Sequence, residues 1–310
     1  MRFLGLPGGL GDRMAFTAVI REVKRVAPGE MIEVAGSGAK DPVLLGNPYI
    51  GWSNGKQKWG DVALQLNEDL WLGSMPHSFA RQLGIELVDD TPELYLSAAE
   101  RAAAPPVPDA ERTIALDPWA YWAARRWPYA RYVELVDRLR ADGWKIVELG
   151  ARKRNGVEAP RVNVDVSYFN RLGVRQAAAL LERCALFVGN DSGLMHVAAA
   201  VGTPQVIMFG SIRWYARAYY TTTSVFPYSA CNQHCFIDCY RRVRHEYDGN
   251  KHKMETMHCM NEITVDRVVD AVRVAAKRWL PRAGAPRPEA RYGPPTIVPA
   301  PIPEKEPVLV

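Results

Sequence analysis

The stretch Gly189-Asn190-Asp191-Ser192-Gly193-Leu194-Met195-His196 constrains the fold of this chain more than any other. The apolar run Ala185 to Val188 precedes it and the small-residue run Val197 to Val201 follows, a pattern that predicts strand, polar turn and helix. A turn of this kind at the carboxyl end of a buried strand leaves the first N–H groups of the helix open. The helix dipole favours an anion such as a phosphate there. Asp191 is placed to cap the helix, Gly193 lets a ligand approach the backbone, and His196 lies within the first two turns, facing the same mouth. An ordinary capped helix of an α/β domain could carry the same residues.

A second strand, turn and helix opens the chain. Arg2 to Leu6 is a short apolar strand, Pro7-Gly8-Gly9-Leu10-Gly11 is a flexible turn, and Asp12 is expected to open a helix with Val19, Val23 and Val26 at helical spacing, ending at Pro28-Gly29. G-G-x-G is not the dinucleotide fingerprint G-x-G-x-x-G. Asp12, a carboxylate at the rim of a cleft, matters more than the glycines. A third segment, Trp119 to Pro128, follows the strand Thr113 to Asp117 and precedes a helix expected from about Tyr129 to Asp142. Its Arg125 and Arg126 are planar, permanently charged donors suited to a diphosphate.

In order and spacing, these segments resemble the heptosyltransferase-like glycosyltransferases, family nine of the sugar-nucleotide enzymes. The resemblance is carried by Leu10-Gly11-Asp12, by the basic pair followed by Trp127-Pro128, and by Asp191-Ser192-Gly193 with His196. Asn47-Pro48-Tyr49-Ile50 also resembles a stretch of the family's first domain, and Cys259-Met260 with Ile263 and Val268 resembles its closing helix. The resemblance covers about residues 1 to 280. It implies an α/β protein of two Rossmann-like domains facing across a cleft (GT-B type), with donor nucleotide on the second and acceptor on the first.

Expected domains are 1–101 on the acceptor side, a linker at 102–111, and 112–280 on the nucleotide-sugar side. The linker is read from Ala102-Ala103-Ala104-Pro105-Pro106-Val107-Pro108, where proline removes donors and fixes φ. Glu30 to Ala35 and Asp61 to Leu66 read as strands of the first half, Trp144 to Leu149 and Pro204 to Phe209 as strands of the second, and their alternation with helices points to parallel sheets. With 48% hydrophobic residues among 310, the chain can bury one large core or two smaller ones. No stretch is apolar enough to span a bilayer and no signal peptide is read at the start, so the expectation is a cytoplasmic protein. Residues 281–310, rich in proline, read as an extended, disordered tail.

The net charge of +5 is modest and does not identify a nucleic-acid binder. Positive charge gathers in one insert, at Tyr240-Arg241-Arg242-Val243-Arg244-His245 and Lys251-His252-Lys253. This is either a solvated loop or a lure for a polyanion such as lipopolysaccharide core, nucleotide or DNA. The insert, 231–259, is framed by Cys231, Cys235, Cys239 and Cys259. These four either hold a structural zinc or iron or are ordinary thiols; the spacing is not a standard zinc-ribbon pattern. Cys184 reads as core. The run Arg213 to Tyr220 is either a loop packed by its own aromatics or a surface for stacking a base or sugar.

Sugar transfer from a nucleotide diphosphate such as an ADP-heptose-like donor needs a base for the incoming hydroxyl, stabilisation of the departing diphosphate and exclusion of water. The expected base is Asp12, with in-line attack and inversion. The expected donor-binding set is Gly11, Arg125, Arg126, Glu148, Asp191, Ser192, Gly193 and His196, with Glu148 or Arg152 reaching the ribose or base. No D-x-D sequence occurs, so no catalytic cofactor is expected. The acceptor is expected to be a saccharide, with a modified nucleic-acid base as the alternative and a noncatalytic nucleotide-binding scaffold as a further one. Arg152, Lys153 and Arg154 stand where relatives carry an acidic residue, which leaves the nucleotide base open.

Overall fold

The computed structural model describes residues 2–3, 8–29, 31–34, 41–51, 74–120, 125–151, 162–210, 212–226, 258–280 and 296–297. In the first half, β1 (Arg2–Phe3) pairs in parallel with β2 (Glu33–Val34), and Ile32 bridges to Ile50. Between β1 and β2 runs α1 (Leu10–Val26), which buries Met14, Ala15, Phe16, Ala18, Val19, Ile20 and Val23. Its last expected core position, Val26, is 50% exposed, because the helix ends there and the apolar stripe has passed its partner. α2 (Met75–Gln82) packs on α1. The expected strand Asp61 to Leu66 lies outside the described residues.

The second half is built on one parallel sheet. Its strands are β3 (Thr113–Asp117), β4 (Lys145–Glu148), β5 (Val166–Ser167), β6 (Leu186–Asn190), β7 (Gln205–Met208), β8 (Thr222–Val225) and β9 (Thr296–Ile297). They lie in the order β5-β4-β3-β6-β7-β8-β9. Counted from β3, the first six strands have the order 3-2-1-4-5-6, the doubly wound arrangement whose ligand crevice opens where the order reverses, between β3 and β6. Asp117 and Gly189 are register partners there, so the carboxyl ends of the two strands lie side by side. β3, β6 and β7 are buried throughout, as parallel strands covered on both faces must be. Of the expected tail, Thr296–Ile297 pairs with β8 and the rest lies outside the described residues.

One face of the sheet is covered by α4 (Tyr129–Ala141) and α8 (Val265–Trp279). α8 buries Val265, Val268, Val269, Val272, Ala275 and Trp279 at helical spacing. The Thr264 hydroxyl accepts the Arg267 N–H at its start, a cap that contributes about 1 kcal/mol. The short α7 (His258–Asn261) leads into it. The other face carries α5 (Val174–Leu181) and α6 (Gly193–Ala200), and α1 packs directly on α6. A single apolar cluster therefore runs from Phe16 and Val19 through Met195 and Ala198 to Phe187 and Ile207.

Arg175 of α5 ties the halves together a second time. It donates to the carbonyls of Pro42 (2.9 Å), Leu45 (3.0 Å) and Tyr95 (2.5 Å) and pairs with Glu100, whose carboxyl it draws down to about 2. Glu100 belongs to α3 (Ala98–Ala102), the helix that ends where the linker was expected to start. Among the described residues, no helix is long and apolar enough to cross a membrane.

Candidate active site where two helix starts meet

The starts of α1 and α6 touch where the glycine backbone of each meets a side chain of the other. A Cβ placed on Gly11 would come 2.7 Å from the His196 ring, and one on Gly193 would come 2.9 Å from Leu10. Only glycine permits such an approach, so the two expected turns, remote in sequence, are brought together by positions that lack a side chain. Both positive helix ends consequently point into one region, which suits it to an anion.

α1 begins at Leu10 rather than at the expected Asp12. Gly9 takes the cap position with an extended backbone, and Asp12, three residues on, reaches back so that its Oδ2 accepts the Gly9 N–H at 2.7 Å. Gly8 adopts φ +40°, and a Cβ there would collide with the same carboxylate. Asp12 is thus held by its own turn while 17% of its side chain stays in contact with solvent. Its Oδ1 faces Nη1 of Arg217 at 3.8 Å.

At the other start the expected cap is corrected: Ser192, not Asp191, is the cap residue of α6. Its hydroxyl makes no cap hydrogen bond and instead donates to Oδ2 of Asp117 at 2.7 Å. The first N–H groups of α6 are therefore left without a side-chain cap. Asp191, one residue earlier, is 2% exposed and its Oδ2 lies 3.4 Å from Nε of Arg125. Arg125 also donates to the Asp191 carbonyl at 3.4 Å.

The loop that presents Arg125 is pinned by Trp127. Its backbone N–H donates to Asn190 Oδ1 (3.1 Å), its indole N–H to the Ile263 carbonyl (2.7 Å), and its ring meets Tyr132 edge-on. The two arginines then diverge: Arg126 donates to the Ala120 carbonyl and lies 4.0 Å over the Trp119 ring, and burial lowers its pKa. Glu148 closes β4, is 3% exposed and accepts the Ser167 hydroxyl at 2.6 Å.

His196 lies under Gly11, 2% exposed, sharing a 2.6 Å hydrogen bond between Nδ1 and the Tyr219 hydroxyl. Burial above all, and then the nearby Arg217, push its pKa down to about 3, so the ring is neutral at physiological pH. The loop after β7 supplies both partners. In that loop Trp214 meets Tyr215 edge-on and stacks on Phe226, with Arg213 over Tyr215, so its aromatics pack on one another.

Sequence reasoning missed Asp117, Arg217 and Tyr219. Asp117 carried a signal, being the one acidic residue at the end of an otherwise uncharged buried strand, next to the reversal of strand order. Arg217 and Tyr219 lay in a run singled out for its composition, with nothing to show which member would turn inward. Arg152, Cys231, Cys235, Cys239 and the basic insert lie outside the described residues. Cys259 is buried against α8, and Cys184 is buried in the core as expected. Among the described residues, no group of three or more His, Cys, Asp or Glu is placed to hold a metal ion.

Comparison with known proteins gives consistent matches. The family model of glycosyltransferase family 9 (heptosyltransferase) matches residues 72–235, more than half of the chain. Lipopolysaccharide heptosyltransferase 2 of Salmonella typhimurium is 36% identical over 95 residues, 28% of this chain and 27% of that protein. The match thus spans little more than a quarter of that relative's length. Among solved structures, ADP-heptose lps heptosyltransferase II of E. coli superposes with a TM-score of 0.59 at 17% identity, covering 88% of this chain and 98% of that one. The iron-containing dodecameric glycosyltransferase TibC of enterotoxigenic E. coli gives a TM-score of 0.69 at 16% identity, covering 89% and 76%. At those identities the two structures show a shared fold, that of GT-B heptosyltransferases.

Proposed function

We propose that this chain, which belongs to glycosyltransferase family 9, transfers a heptose-like sugar from a nucleoside diphosphate donor to a hydroxyl of a saccharide acceptor. The observation that carries this reading is the contact of Gly11 with His196, which sets the partly solvated carboxylate of Asp12 beside the uncapped start of α6. One group can take a proton while the other receives negative charge, the two demands of the reaction.

In this reading Asp12 accepts the proton of the acceptor hydroxyl as its oxygen bonds to the anomeric carbon. The bond from that carbon to the diphosphate oxygen breaks on the opposite face, and the configuration inverts. The charge growing on the diphosphate falls at the backbone N–H groups behind Ser192 and Gly193 and at Arg125, which Asp191 aims. His196 acts neutral, as a packing surface that fixes Gly11 and with it Asp12. Arg126 shapes the loop, and Glu148, at the adjacent strand end, takes the ribose in this reading. Arg217 fixes the face that Asp12 presents.

The donor is ADP-heptose-like, the donor named for the E. coli neighbour, and such a donor suits a cytoplasmic enzyme. The acceptor side is 1–101, the donor side 112–280, joined at 102–111. No step requires a metal at the diphosphate. We assign Cys231, Cys235, Cys239 and Cys259 to a structural zinc or iron site in the insert; TibC is an iron-containing relative in fold. The nucleic-acid acceptor has no support from the relatives and is set aside.

The test is incubation of the full chain with ADP-heptose and a lipopolysaccharide core acceptor. Release of ADP matched by acceptor glycosylation is the expected result. Thermal stabilisation by ADP-heptose without turnover would make the protein a nucleotide-binding scaffold. Metal analysis of the same preparation is expected to find about one equivalent of zinc or iron per chain.

A further inference from the structure

The reaction as described gives no role to one buried acid beside the start of α6. Asp117 closes β3 at the reversal of strand order and is 3% exposed. Its Oδ2 accepts the Ser192 hydroxyl at 2.7 Å, and its Oδ1 accepts the Trp119 N–H at 3.2 Å. The backbone of Gly150 presses on the same oxygen, for a Cβ there would come within 2.8 Å of it. The titratable groups facing it are Glu148 from β4 and Tyr132 from α4. It joins the loop that carries Arg125 to the start of α6, so the two elements assigned to the diphosphate share one carboxyl group.

A hydroxyl has a single hydrogen. While Asp117 is ionised it can only accept, and Ser192 spends its hydrogen on it. Once Asp117 is protonated it can donate to Ser192 Oγ, and the serine hydrogen is released to another acceptor. We propose that Asp117 is a positioning residue that controls donor capture through Ser192: its neutral form frees the serine hydroxyl for the diphosphate, and its ionised form withholds it. This rests on the reading that the donor diphosphate sits at the start of α6.

Burial, with a smaller contribution from the Glu148 charge, lifts the Asp117 carboxyl to about 7, so both forms are populated near neutrality. A diphosphate bound nearby adds negative charge, disfavours the ionised form further and takes up a proton. By linkage, affinity falls as pH rises through the free-protein value, by up to about tenfold for each unit by which the donor raises it. His196, neutral throughout this range, adds no titration of its own.

The experiment is calorimetric titration of the full chain with ADP-heptose, without acceptor, at about pH 6 and about pH 8.5 and in buffers of different ionisation enthalpy. The pyrophosphate of this ligand carries no proton that titrates between those values. Wild type is expected to bind roughly tenfold more weakly at the higher pH and to take up a fraction of a proton on binding near pH 7.5. Asp117→Asn, neutral at every pH and able to donate to Ser192, is expected to bind equally at both and to take up no proton. Ser192→Ala, which leaves the carboxyl in place, is expected to lose affinity at pH 6, where the hydroxyl is free. Binding by wild type that is independent of pH, or pH dependence that survives in Asp117→Asn, overturns the inference while leaving the donor site intact. Wild-type affinity in Ser192→Ala at pH 6 overturns the relay, and no binding at either pH overturns the donor reading and this inference together.

Discussion

The starts of α1 and α6 follow the same local plan of strand, glycine-bearing turn and helix, yet the structure treats their acidic residues in opposite ways. At α1, Asp12 folds back on its own turn and keeps part of its carboxylate in water. At α6, Asp191 is sealed against Arg125, and the serine that could cap the helix turns to Asp117. A carboxylate in contact with water remains within reach of an incoming group. One buried against a guanidinium becomes a strut. The same motif thus leaves a partly solvated carboxylate on one side and a sealed ion pair on the other, which the proposed reaction uses as proton acceptor and as anion receptor, and the two differ in burial rather than in residue type.

The largest effect should come from removing the acceptor side. Asp12→Asn keeps the shape and loses proton affinity, so transfer is expected to fall roughly a hundredfold or more with donor binding unchanged, as steady-state rates and donor titration would show. Near-wild-type turnover would break the contrast, since α1 would then hold no base. Next is the receptor side: Arg125→Ala is expected to weaken donor binding about tenfold, measured by calorimetry, and an unaltered dissociation constant would move the donor elsewhere. Third, Gly11→Ala drives a methyl group into the His196 ring and should cost about 1–3 kcal/mol in denaturant unfolding, with transfer impaired in proportion. A neutral outcome would mean that the two helix starts are not in register.

The smallest effect concerns acid stability. The folded-state pKa of His196, about 3, lies below its unfolded value, so its contribution is complete above about 6.5 and is lost as pH falls from there toward 3. At about pH 5.5 the loss should be roughly 1 kcal/mol relative to about pH 7.5, and His196→Gln should remove that part of the difference. An unchanged difference in the variant would mean that the ring is charged and solvated.

Much of this was legible in the residues. The buried strands and the two polar turns follow from apolar runs bounded by Gly, Asn, Asp and Pro, because such patterns act over short distances, whereas the closing helix was expected from the family resemblance. Asp12 stood out for the same reason. The pairing of Arg125 with Asp191 spans 66 residues, and the meeting of Asp12 with Arg217 spans far more. Both depend on which strand ends lie adjacent, a property of sheet order that local spacing does not carry. The expected cap at Asp191 failed because α6 starts at Gly193, which puts Ser192 in the cap position, and Ser192 makes no cap hydrogen bond because Asp117, remote in sequence, takes its hydroxyl.

The order of the sheet also governs what the protein must avoid. Among the described residues, the outermost strands β5 and β9 are two residues each, and edges that short offer another molecule few open backbone groups. The four-residue β8 is shielded on its outer side by Thr296–Ile297, a small part of a segment whose composition suggested no structure. In a chain cut after Leu280, Thr222–Val225 would become a bare, paired-on-one-side ribbon. Thr296–Ile297 therefore covers part of an edge that would otherwise stand open, a role separate from any chemistry at the helix starts.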